Sequence, residues 1–399
     1  MSTPAKNARG RGKGVIMALA RARAIWLNAQ KLDQAAPFGA GPLATYRATQ
    51  HLGYVQIDTI NVIERCHHHI LFSRIPDYRR EDLSQAQTAD KSVFEYWTHA
   101  LSYVASEDYR FFRPAMKRAK ETPSAYWAAV DPKDLRRLLR RIRENGPLSI
   151  RDIDDDVLVE KDHAWGSRKP SRRALQLAFY RGDLTVSERV GMLKKYELTE
   201  RHFGWNTLPR PATERQVDAY ILDRALRSQG IISLDSVCHL DAGRKPAIAA
   251  LITKRVKRKQ LVPIILEGFE TLLFWADPAI LEQSLPDLDQ LVHILSPFDP
   301  LIIQRKRLKQ FFGYGHLFEA YVPPEKRVLG YFALPVLYRD RIVAAIDMKT
   351  DRQNGALQIQ KWTKFGEENA EQRQAIEDGL ARFETFQLAS NIETANPQA

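Results

Sequence analysis

Cysteine is nearly absent: Cys66 and Cys238 are the only two in 399 residues. Two thiols cannot make a disulfide framework, and two alone cannot close a four-ligand zinc site. Apolar runs are short as well. None approaches the roughly 18–20 residues that a membrane-spanning helix needs, so no membrane partner is expected. The opening stretch MSTPAKNARGRGKG is basic but leads into no apolar segment with a small-residue cleavage site, and no secretory signal is expected in it. A reducing cytoplasm is the expected compartment. Neither a Walker loop nor a dinucleotide-binding glycine pattern occurs, so no nucleotide cofactor is expected.

What the sequence does have is core-forming material and positive charge. Hydrophobic residues make up 44% and charged residues 27%. The length corresponds to about two to four domains at roughly 100–200 residues each. Lys and Arg number 60 against 48 Asp and Glu, a formal net charge of +12. Such an excess points to a polyanionic partner, nucleic acid first, although a generally basic soluble protein has the same balance.

The middle of the chain reads as a repeat. Asp131 and Pro132 open a helix as N-cap and first residue, and Leu135, Leu138, Leu139 and Ile142 recur on one face beneath an arginine-rich outer face. Gly146-Pro147 ends it, and Leu148-Ser149-Ile150 starts a short extended element. A helix from Ser171 to Gly182 and a hairpin turning near Val190-Gly191 follow. The order then recurs. Thr213 and Gln216 form a capping box, Gly230 ends that helix, and IISLDSV parallels PLSIRDI. A helix around PAIAALITKRVKRKQ and the strands LVPIIL and TLLFWA complete the unit. Helix, short strand, helices and a two-stranded wing describe the winged helix-turn-helix.

The segment before residue 120 reads as a more divergent third copy. It has helices over VIMALARARAIWLNAQKL and ATYRATQHL and a strand over YVQIDTI. After residue 291, short β-rich runs and a final helix around EQRQAIEDGLARFETF imply a different domain. The expected fold class is α+β, with tandem winged helix-turn-helix units and a C-terminal β-barrel-like domain. The expected divisions are a disordered basic N-terminus (1–14, with Lys6, Arg9, Arg11 and Lys13), winged units at 15–124, 125–210 and 211–290, a β-rich domain at 291–390 and a disordered tail at 391–399.

The strand around Gln56-Ile57-Asp58 carries the most chemistry. On a strand, alternate side chains share a face, which sets Gln56 and Asp58 about 6.6–7 Å apart along one side. A carboxylate and an amide facing one space can hold a water: the acid takes its proton, and the amide fixes its direction. Two solvated polar residues on an edge strand have the same spacing.

Longer motifs shift the balance toward the first. YVQIDTINVIER with HHILFSR, EYWTHA (Glu95 to Ala100), LSPFDPLIIQRKR (Leu295 to Arg307) and GYFALPVLYRDRIVAAIDMKTDRQNG (Gly330 to Gly355) together resemble the bacterial winged-helix DNA glycosylases of the AlkZ/YcaQ type. The resemblance runs from about residue 15 to 390. It implies tandem winged helices and a barrel-like domain arranged around DNA, and a Gln-x-Asp catalytic pair, here Gln56 and Asp58. The substrate it implies is duplex DNA carrying alkylated or crosslinked guanine, acted on by a monomeric enzyme without metal or organic cofactor. DNA contacts are expected from Ser73, Arg74, His68, His99, Arg305, Lys306, Arg307 and Lys349. The run Cys66-His67-His68-His69 is not expected to bind metal, because consecutive side chains diverge. His99 could equally be a hydrogen-bonded core histidine, and Asp347 and Lys349 the polar face of a strand. A non-catalytic winged-helix regulator and a protein-interaction scaffold are the rival classes.

Overall fold

A computed structural model describes residues 14–128, 130–153, 169–285, 291–351 and 353–389. The basic N-terminal residues and the C-terminal tail read from the sequence lie outside these. The chain divides into two units. One holds residues up to Ala35 and from Asp218 onward; the other is Ala36–Val217.

The first strand, β1 (Val15–Met17), precedes α1 (Leu19–Gln30). A similar element order then occurs three times, the second copy having a single 3-10 turn (Ile150–Asp152) where the other two have a short helix. The first copy is α2 (Gly41–Leu52), β2 (Val55–Gln56), α3 (Cys66–Phe72), α4 (Arg80–Thr88) and the hairpin β3 (Val93–Trp97) with β4 (Leu101–Ala105). Helices α5 (Tyr109–Glu121) and α6 (Ala125–Ala128) lead on to the second copy. It comprises α7 (Pro132–Asn145), β5 (Leu148–Ser149), α8 (Pro170–Tyr180) and the hairpin β6 (Leu184–Val190) with β7 (Leu193–Leu198), closed by α9 (Thr199–Phe203). The third has α10 (Glu214–Gln229), β8 (Ile231–Ile232), α11 (Leu234–Val237), α12 (Lys245–Lys257) and the hairpin β9 (Val262–Leu266) with β10 (Phe274–Ala276), followed by α13 (Ala279–Glu282). In every copy the short strand pairs antiparallel with the second hairpin strand: β2 with β4, β5 with β7, β8 with β10.

Local chemistry explains these boundaries. Asp131 accepts the Lys133 N–H at 2.7 Å with Pro132 in the first helical position, and Leu135, Leu138 and Ile142 are buried beneath α7. Thr213 and Gln216 cap α10 reciprocally, Thr213 N–H to Gln216 Oε1 at 2.9 Å and Gln216 N–H to Thr213 Oγ1 at 3.3 Å. Gly182, at φ +72°, takes the left-handed turn after α8, and a Cβ there would collide with Met116 Sδ.

Two expectations are corrected. Val15–Met17 is not the start of a helix. It is a strand paired parallel with Ile264–Leu266 of β9, which satisfies an exposed sheet edge and buries Met17. Nor does the C-terminal sheet close. β11 (Val292–Ile294) is followed by α14 (Arg305–Phe312), β12 (Ala333–Tyr338), β13 (Arg341–Asp351) and β14 (Ala356–Lys364), and the strands lie in the order β11-β12-β13-β14, with β11 and β14 on opposite edges. Helix α15 (Ala370–Leu388), capped by Asn369, packs on this open sheet through Ile376, Phe383 and Phe386.

Each unit has its own core. Phe94, Tyr96, Tyr109, Phe112, Ile142 and Phe179 belong to one; Trp26, Phe274, Leu308, Phe311 and Leu337 belong to the other. Each large buried side chain contributes about 1.5–3 kcal/mol. No helix among the described residues is long and apolar enough to cross a membrane.

Candidate active site

The Gln56-Ile57-Asp58 segment occupies the short-strand position of the first copy. Gly53, at φ +80°, ends α2 and turns the chain into β2. Val55, Gln56 and Ile57 are all buried, and Gln56 pairs with Ser102 on β4. β2 is shorter than the alternation predicts. Ile57 N–H still bonds Leu101 O at 2.8 Å, but Asp58 leaves the ladder, because its Oδ1 accepts the Ile60 N–H at 2.8 Å in a local turn. In the other two copies a serine at this point, Ser149 or Ser233, caps the next helical turn instead. Here residues 57–65 form a loop before α3, which leaves Asp58 half-buried.

Gln56 is held from two sides. Its Oε1 lies 2.9 Å from His99 Nε2, and its backbone oxygen accepts Cys66 Sγ–H at 3.0 Å. Burial pushes the Cys66 thiol well above its ordinary range, and the nearby Asp58 carboxylate adds to this. Cys66 therefore stays protonated, a fixed donor at the start of α3. His99 sits in the three-residue turn between β3 and β4. That turn is pinned by Thr98 N–H to Ala100 O at 2.8 Å and by Thr98 Oγ1 to Ser102 Oγ at 3.0 Å. The Tyr54 ring meets the imidazole edge-on, with centroids 4.9 Å apart.

The opposite face of this sheet is charged yet buried. Fully buried Glu95 receives Arg189 Nε and Nη2 at 2.5 and 2.7 Å, with Gln87 Nε2 at 3.2 Å. Burial alone would raise the Glu95 carboxyl, but Arg189 outweighs it and holds the group below its usual value. His67, beside Tyr103, is driven well below the ordinary imidazole range by burial and then by His68 and Arg189. His68 bonds Tyr78 Oη at 2.7 Å and is pushed down to about 4, mainly by desolvation. Ser73 Oγ donates to His69 O, and buried Arg74 donates from Nη1 to Ile70 O. Ser73 and Arg74 are thus turned inward onto α3, not outward. Among the described residues no group of three or more His, Cys, Asp and Glu side chains could hold a metal ion.

The remaining expected contacts lie in the other unit. Arg305 is half-buried and donates to Ile302 O at 2.9 Å. Lys306 is exposed and reaches Asp235 at 3.0 Å. Arg307 is buried: its guanidinium lies over the rings of Trp26 and Phe311, 4.2 and 4.4 Å from their centroids, and donates to Ile231 O at 2.6 Å. Lys349 is exposed on β13, whereas Asp347 turns inward and accepts the Tyr331 and Phe332 N–H groups. The sequence reading missed Cys66 as a donor, the Thr98–Ser102 latch and the Glu95–Arg189 pair. Only Cys66 left a signal, its place in the run beside the histidines.

Residues 49–386 match the model of the family described as DNA glycosylase AlkZ-like. The chain belongs to that family. A solved structure of Streptomyces sahachiroi DNA glycosylase AlkZ shares its fold, with a TM-score of 0.59 at 16% identity, over 94% of this chain and 97% of that one. Membership makes DNA the substrate and base excision the reaction class.

Proposed function

We propose that this family member hydrolyses the N-glycosidic bond of N7-alkylguanine in duplex DNA, including guanines crosslinked between strands, and leaves an abasic site. An N7-alkylated guanine is cationic. When its N9–C1′ bond breaks, the electron pair goes to the base, which departs neutral and needs no general acid. The sugar left behind is oxocarbenium-like, as in other glycoside hydrolysis. Asp58 stabilises that cation and takes a proton from water as the water oxygen bonds C1′; Gln56 aims the water.

The observation that carries this reading is the posture of Asp58. It stands half-buried two residues beyond the strand residue Gln56, with Oδ1 engaged by the Ile60 N–H. Oδ2 is then the oxygen assigned to the water. No lysine is assigned a nucleophilic role, so the enzyme is read as monofunctional. The three helix–strand–helix–hairpin copies are read as winged helices that grip the duplex, with exposed Lys306 and Lys349 as phosphate contacts. Arg74, Ser73, His68 and Arg307 are read instead as internal supports.

The test uses duplex carrying N7-methylguanine or a nitrogen-mustard crosslink, followed by alkali cleavage of abasic sites. Wild-type protein yields breaks and Asp58→Asn does not. Equal activity in that variant refutes the role of Asp58, and tight duplex binding without base release by the wild type points to a regulator.

A further inference from the structure

We infer that His99 is a positioning residue that makes Gln56 a hydrogen-bond donor to the attacking water, an inference that rests on the reading of Gln56 as the water-orienting group. A glutamine amide is two-faced. Its terminal torsion is broad and roughly two-fold, so a free side chain offers either its oxygen or its NH2 to the same partner. Only one of these suits each division of labour in the site. If Asp58 accepts one proton from the water, a donor from Gln56 holds the water through one lone pair and leaves the other for C1′.

His99 selects that orientation. The tip of a three-residue hairpin turn ordinarily faces solvent. Here the turn is latched through Thr98 to Ala100 O and to Ser102, and Tyr54 backs the ring. The imidazole is thereby directed across the sheet end, with Nε2 at 2.9 Å from Gln56 Oε1. With the proton on Nε2, His99 donates and occupies the Gln56 oxygen. The amide NH2 is then the end left for the water. The Cys66 thiol, donating to the Gln56 backbone oxygen, fixes the main chain beneath it. His99 touches Gln56, not the water, so it acts through the amide.

Three substitutions separate this role from DNA contact and from mere packing. His99→Leu removes the donor and is expected to lower kcat about 10- to 100-fold, the range for a misaligned reacting group. Affinity for lesion-free duplex and its salt dependence stay at wild-type values. His99→Gln keeps an N–H donor and recovers most of the rate. Gln56→Glu, similar in shape but unable to donate, is as inactive as Gln56→Ala.

The inference is overturned if His99→Leu keeps full kcat while Gln56→Ala is impaired, which leaves the reading of Gln56 intact. It is overturned equally if His99→Leu weakens lesion-free binding with a shallower salt slope, the mark of a phosphate contact, or if His99→Gln fails to recover rate while folding normally. Should Gln56→Ala itself be fully active, the underlying reading of the site fails and His99 loses its role with it.

Discussion

Arg189 on β6 grips Glu95 on β3 with two parallel N–H···O bonds, tying the hairpin of the first copy to that of the second behind the sheet that carries Gln56. Both side chains are almost wholly enclosed, at 7% and 0% exposure. Two charges taken from water need each other far more than either stabilises the fold. Removing one partner is therefore expected to cost about 3–5 kcal/mol, because the buried charge left behind loses its main partner, with Lys194 at 3.8 Å from Glu95 the remaining ionic neighbour of that carboxylate. Glu95→Leu and Arg189→Met, each made alone, should show this in denaturant unfolding. The double substitution Glu95→Leu with Arg189→Met should recover much of the loss. If the two single losses simply add, the pair is not coupled as described.

The proposed chemistry has a consequence for the leaving group. With no general acid assigned, the enzyme depends on the positive charge of the lesion. Ring-opened N7-methylguanine is no longer cationic, so its release should be slower by about 10²-fold or more, the lower end of what a general acid supplies. Single-turnover rates on the two lesions in the same duplex measure this. Equal rates would require a proton donor that the site as described does not supply.

Legibility in the sequence followed the range of the interactions. The caps at Asp131 and Thr213–Gln216 and the hairpins of the second and third copies were legible, because each is decided by residues within a few positions of one another. The element Val15–Met17 was not, since its strand state depends on Ile264–Leu266 some 250 positions away. Asp58 shows a subtler failure. Alternation read it as a ladder residue, yet a short carboxylate can capture a nearby backbone N–H and end the strand. The pairing of Gln56 with His99 needs the β3–β4 turn to fold back, and no local pattern encodes that.

Arg307 shows how a basic motif can mislead. Within Arg305-Lys306-Arg307, only Lys306 is exposed. Arg307 is enclosed between Trp26 and Phe311, and among the described residues its Nε and Nη1 reach no partner. Burial works against its charge. An apolar chain of similar volume removes this buried charge without stranding an ionic partner, which offsets the loss of the bond to Ile231 O. Arg307→Met should therefore leave Tm unchanged or raised, and affinity for lesion-free duplex unchanged. A fall of about one in the salt slope would instead identify a phosphate contact.

The loop before β12 is held by acid. Five consecutive backbone N–H groups, Val328 to Phe332, are taken up by two carboxylates. Glu319 accepts those of Val328, Leu329 and Gly330 at 2.7, 2.6 and 3.1 Å, and Asp347 accepts those of Tyr331 and Phe332 at 2.7 and 2.9 Å. Gly330 sits at φ +131°, and a Cβ there would run into the Asp347 side chain, so only glycine fits the crossover. Burial would raise the Glu319 carboxyl, but its three N–H donors outweigh this and hold it below the usual carboxylate range. A folded-state value below the unfolded one gives stability that is fully present above the unfolded value of about 4.3 and is lost as pH falls through the folded one. Glu319→Gln is therefore expected to cost about 1–3 kcal/mol at neutral pH, since one accepting oxygen becomes a donor facing N–H groups. The cost should shrink below about pH 4, where the wild type loses the same charge. Unfolding free energies of both proteins between pH 3 and 7 test this; a difference independent of pH would show that the Glu319 charge is not what secures the loop.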